Sequence, residues 1–212
     1  MIDCIDNWRD LPLGVYLDIL DVYADPLRED IDKQVGALAL LTGRTDKDIL
    51  DLPIAEYTAL SAKASFLQEV PEKYPRAAAS YKVGDLELIP TKDFAHITAA
   101  QYIDYQTFVG AMPEDETNYV QVLSCFLIPK GHKYNDGYDM DEVRKAIREI
   151  GVADVLGLTA FFFGKWAALI RSTRTYLSRS IKREKDPEKR AKMEARLKDL
   201  GRFNFAGAGS TT

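Results

Sequence analysis

Cysteine and histidine are nearly absent from this chain. Only Cys4, Cys125, His96 and His132 occur in 212 residues. Two isolated cysteines give neither a disulfide framework nor a metal-binding spacing, and a reducing cytoplasm is the simplest setting for them. The histidines lie 36 positions apart, and neither has a serine, cysteine or carboxylate in a catalytic context. The motifs GxxxxGK(S/T), GxGxxG and HExxH are missing, so nucleotide and zinc chemistry have no anchor. These absences exclude the common routes to catalysis; no enzyme, cofactor or metal is expected. Long apolar runs are missing too. The most apolar stretch, residues 155–170, is interrupted by Lys165 and bounded by Arg171. It is shorter than the roughly 20 residues that cross a bilayer, so no membrane span is expected. The opening MIDCIDNWRD is acidic and lacks a basic, apolar leader pattern, so no secretory signal is expected.

Charge, by contrast, is abundant and unevenly placed. The chain carries 28 Lys/Arg against 33 Asp/Glu, a net charge of −5. Residues 171–202 hold twelve of the basic residues and five of the acidic ones, a local balance of +7 that leaves −12 elsewhere. The sequence therefore divides into an acidic body, residues 1–170, and a basic arm with a small-residue tail, residues 171–212. An acidic body with one basic element suggests a protein that grips an acidic partner. The candidate partner-binding residues are Arg171, Arg174, Arg179, Lys182 and Arg183, with Phe203 and Phe205 in the tail. Cations of this kind steer an encounter, and aromatic side chains entering a pocket anchor it. The alternative is a solvated face with internal i,i+4 pairing. The pI of about 5.2 and the scarcity of interleaved aromatics argue against nucleic acid as the partner. The acidic body can itself serve as the acidic surface, which favours head-to-tail homo-oligomers.

The spacing of apolar residues predicts a mainly α-helical fold. A bundle-like body carries one small β-hairpin near residues 79–90, followed by a long helical arm. Val15, Tyr16, Ile19, Leu20 and Tyr23 mark a first helix. Asp25-Pro26 reads as the start of a second, ending at Thr42-Gly43. A short helix begins at Thr45, and a longer one runs from Pro53 to about Val70. Tyr81, Val83, Leu86 and Leu88 alternate around Gly84-Asp85, the hairpin signal. Thr98 or Thr91 caps the next helix, and a further helix is predicted over 117–127. Its inner face is Val120, Leu123, Phe126 and Leu127. The run Asn135–Glu142 is rich in oxygen ligands that suit Ca²⁺, but it lacks the EF-hand spacing. Turn chemistry with Asp139 as a helix cap accounts for it. A long helix from about Ala153 passes from apolar to basic near Arg171. Phe161, Phe162, Phe163 and Trp166 point in successive directions around it, so one face cannot bury all four. Asp186-Pro187 starts the last helix, which is predicted to stop at Gly201.

One segment carries a family resemblance. Leu41-Thr42-Gly43, then Asp46-Lys47-Asp48-Ile49-Leu50-Asp51-Leu52-Pro53, then Glu56-Tyr57 and a helix to Phe66-Leu67 resembles the tail assembly chaperones of tailed bacteriophages. The resemblance covers roughly residues 36–70. In those proteins the pattern lies late in a short chain, whereas here about 140 residues follow it. It implies a small helical protein that binds the tape-measure protein while the tail is built. The expected partners are then phage structural proteins, in the host cytoplasm during assembly. The alternatives are a structural component held in the virion, or a nucleic-acid-binding accessory protein using the basic arm.

Overall fold

The computed structural model describes residues 2–69, 75–92, 94, 97–111 and 118–202, with the side chains of 111, 163, 165–170, 196 and 199–202 outside the description. The fold is mainly α-helical with a small antiparallel sheet. In chain order the helices are α1 Leu13–Ala24, α2 Asp30–Thr42, α3 Asp46–Leu50, α4 Ile54–Lys63, α5 Ala99–Ala111, α6 Asn118–Ser124, α7 Met140–Arg148, α8 Val152–Arg183 and α9 Pro187–Arg202. The strands are β1 Tyr81–Val83, β2 Leu86–Pro90 and β3 Leu127–Pro129. The chain divides into two compact units, Met1–Phe161 and Phe162–Thr212.

In the first unit α2 is the central helix. Its second half is apolar on nearly every side. Ala37 and Leu41 join Leu11, Ile19 and Val152 in one buried cluster. Val35, Leu38 and Ala39 face a second cluster with Ile49 and Leu60. A helix that feeds two cores cannot keep a single polar face, and α2 confines its charges to the first turns. It ends at Gly43, whose φ of 63° is the left-handed C-cap conformation that glycine adopts without strain. Thr45 then starts α3 with a reciprocal capping box. Its hydroxyl accepts from the Asp48 N–H, and the Asp48 carboxylate accepts from the Thr45 N–H. The same hydroxyl, followed by the backbone N–H, holds the Asp48 carboxyl below the usual carboxylate range.

Two helix boundaries differ from those the sequence predicts. Asp25 does not cap a helix. Its carboxylate accepts from the Leu27 N–H at 2.9 Å inside a turn, and α2 begins at Asp30. The helix expected over 53–70 stops at Lys63 and tightens into a 3₁₀ turn, Ala64–Gln68. That turn places Phe66 edge-on to Trp8 at 5.4 Å, and Tyr16 meets the same indole at 5.5 Å. Val70 itself lies outside the described residues.

The sheet has the order β1-β2-β3. Gly84, with φ 55°, occupies the first central position of the two-residue turn between β1 and β2, the place a II′ turn reserves for glycine. The hairpin lies where the alternation predicts, but it does not stand alone. β3 pairs with β2 in the register Leu88↔Pro129, Ile89↔Ile128 and Pro90↔Leu127. This corrects the helix expected over 117–127, which ends at Ser124. Phe126 and Leu127 are buried as expected, but not as helical residues. The pairing buries Leu88 and Leu127 completely, and α7 packs over both strands. Gln101 of α5, itself buried, donates to the Cys125 carbonyl at 2.6 Å and satisfies the backbone entering β3.

The N-terminal segment closes the unit. Pro12 forms an antiparallel bridge with Gly151. The Leu13 N–H donates to the Ile150 carbonyl, and the Val152 N–H donates to the Leu11 carbonyl, both at 2.8 Å. A Cβ at position 151 would collide with the Arg9 carbonyl oxygen, so the approach requires glycine. Arg148 adds an ion pair to Asp18 at 2.6 Å, both groups partly exposed.

Candidate protein-interaction surface

Among the described residues of the first unit, the cysteine, histidine and tyrosine side chains are held in packing and hydrogen-bonding roles. Cys125 is fully buried, and burial pushes its thiol up to about 11. A thiol so raised stays protonated at neutral pH, the opposite of a nucleophilic cysteine. Its neighbour Tyr134 donates to Asp104 at 2.7 Å. Burial first, then that hydrogen bond, raises the Tyr134 phenol strongly. The three groups form a donor-to-acceptor chain, from the Cys125 thiol through the Tyr134 hydroxyl to the Asp104 carboxyl, that ties α5 to the loop before α7. His132 stacks edge-on against Tyr138 at 5.7 Å, and His96 lies outside the described residues.

The oxygen-rich run 135–142 is used by the backbone. Asn135 and Gly137 take positive φ, and Asp139 accepts from the N–H groups of Asp141 and Glu142 to start α7. Among the described residues no group of three or more histidine, cysteine or carboxylate side chains is placed to hold a metal ion.

In the second unit, Arg171, Arg174, Arg179, Lys182 and Arg183 all lie on α8 and are all exposed. At 100° per residue they fall within an arc of about 180°. Leu177, which is buried, lies on the other side of the helix. Among the described residues none of the five makes an ion pair. Pairing within the arm belongs to its later part. Lys192 meets Glu188 at 2.7 Å, and the Arg190 guanidinium donates to the Glu184 carbonyl just beyond the end of α8. Asp186 caps α9 by accepting from the Glu188 N–H. Gly201 is the penultimate residue of α9 rather than the residue beyond it. Phe203 and Phe205 lie outside the described residues.

The first unit also presents apolar surface that the sequence analysis did not single out. Leu27 is 92% exposed, Ile54 79% and Leu50 64%. Leu50 and Ile54 flank the Leu52-Pro53 turn between α3 and α4. Leu27 sits before α2, whose neighbour Arg28 reaches Asp46 of α3 at 3.7 Å. Helical geometry says only that Ile49 and Leu50 point about 100° apart; the structure buries Ile49 and leaves Leu50 outside. A separate groove of about 400 Å³ is lined by Leu13, Tyr16, Leu17, Tyr119, Val155 and Leu156.

No protein-family model, no curated protein and no solved structure matches this chain. Among the described residues no helix is long and apolar enough to cross a membrane.

Proposed function

We propose that this chain is a non-enzymatic assembly protein of a tailed-phage structural module, acting through protein–protein contacts in the manner of a tail assembly chaperone. The observation that carries this reading is the exposure of Leu50 and Ile54 on either side of the turn at Leu52-Pro53. They lie inside the segment whose residues resemble that family. Apolar side chains standing beyond a formed core offer the anchors that a protein partner buries. The turn holds them in place through the capped start of α3 and the packing of Ile49 and Leu60 beneath. The partner is a phage structural protein, with the tape-measure protein the first candidate, met in the host cytoplasm during assembly.

The test is co-expression with the tape-measure protein of the same genome, followed by affinity capture. The wild-type chain is expected to retain it. The double variant Leu50→Asp, Ile54→Asp is expected to keep its circular dichroism spectrum and lose at least tenfold of the captured partner. Recovery of no structural-module protein by the wild type, from co-expression or from infected cells, overturns the proposal.

A further inference from the structure

We infer that the exposed face of α8 over residues 171–183 binds the phosphate backbone of nucleic acid. The inference is independent of the assembly reading and concerns a different surface. The whole-chain charge of −5 argues against a polyanion only if the charges are mixed, and they are not. Between Asp154 and Glu184 the sequence contains no carboxylate at all. Within that span five cations project from one side of the helix over a rise of about 18 Å. At 0.1 M salt, fields from exposed charges decay over about 10 Å, so an approaching phosphate responds to this face rather than to the chain total.

Two details favour phosphate over an acidic protein surface. The first is what the cationic arc lacks. Between Arg174 at one edge and Arg183 at the other, the remaining positions are Ser172, Thr175 and Ser178. A protein interface draws its affinity from buried aromatic and aliphatic anchors, and this arc supplies none. Small hydroxyl residues leave room for a backbone to lie close, and Thr175 turns its own hydroxyl back to the Arg171 carbonyl at 2.9 Å. The second is the composition of the cations. Four of the five are arginine, whose planar fork matches two phosphate oxygens at once.

The probe is a fluorescein-labelled 20-base-pair DNA duplex of random sequence, titrated with the full-length protein and read by anisotropy. Binding is expected at 50 mM NaCl. If three to five phosphates are neutralised, affinity should fall at least tenfold by 200 mM. The variant Arg174→Glu, Arg179→Glu, Lys182→Glu should bind at least tenfold more weakly, while the charge-preserving variant Arg174→Lys, Arg179→Lys retains most of the affinity. The pair Arg171→Glu, Arg183→Glu, the first and last cations of the stretch, provides a second variant should the triple one lose its helical spectrum. Absence of binding at 50 mM, or glutamate variants that bind like the wild type, overturns the inference. So does equal competition by poly-glutamate of matched charge, which would assign the face to an acidic protein. Loss of partner capture on changing Leu50 and Ile54 leaves this measurement unaffected, so the two proposals fail separately.

Discussion

Two glycines of one helix show how much a single atom decides here. At Gly157 a Cβ would collide with the carbonyl oxygen of Pro75. At Gly164, seven residues further along α8, a Cβ meets nothing within 4 Å. Backbone is less able to retreat than a flexible side chain, so Gly157→Ala should destabilise by about 1–3 kcal/mol. Gly164→Ala should instead stabilise by up to about 1 kcal/mol, because helical glycine carries an entropic penalty that alanine lacks. Urea titrations of both variants check the sign, and destabilisation by both would show that the open surface at 164 is wrongly placed. Neither difference was legible in the sequence, where both are glycines in an apolar helix. Spacing reports which residues share a face, but not which backbone passes across it. The buried residues themselves were better foretold. Val120, Leu123, Phe126 and Leu127 are all inside, because apolarity at that density leaves no other solvent-free place for them.

Among the elements, punctuation was the most readable signal. The starts of α3, α7 and α9 fall at Thr45, Asp139 and Asp186 because these side chains supply acceptors for N–H groups that the helix leaves unpaired. The α3 capping box should contribute measurably in a five-residue helix. Thr45→Ala is expected to cost about 1 kcal/mol and Thr45→Ser much less, read from the denaturant midpoint. Equal losses would show that the methyl group, not the hydroxyl, matters at this site. What sequence spacing could not show was β3. Leu123, Phe126 and Leu127 sit at helical intervals, and the pattern continues straight through the point where the helix ends. The strand exists because β2 offers a free edge, a partner about forty residues away in the chain. Pro129 is tolerated there because β3 is itself an edge strand. The exposed aliphatics Leu50 and Ile54 were obscured for a related reason. Beside buried neighbours they add to apolar periodicity, and only the packed structure separates inward from outward residues.

At the scale of the whole molecule the charge division stands out from the sequence, and the structure adds orientation to it. The five arm cations predicted from composition share one exposed face of α8, a relation that follows directly from their spacing. The first unit holds its own buried clusters, so it does not depend on the arm for a core. Deleting residues 172–212 should leave a chain with a helical spectrum and a single cooperative thermal transition, no longer able to bind the DNA duplex. A truncated chain that is unfolded would make the arm part of the folding core. The bridge between Pro12 and Gly151 has a further consequence, for synthesis rather than stability. Its two sides leave the ribosome about 140 residues apart, which at 5–20 residues per second is roughly 7–28 s. Throughout that interval Leu11, Leu13 and Ile19 have been made while Val152 has not, so a cluster that is dry in the finished protein begins as apolar surface on a nascent chain. The segment therefore sets a clock: α1 to α4 can gather around their local contacts early, but the cluster they share stays open on one side until Val152 arrives with α8.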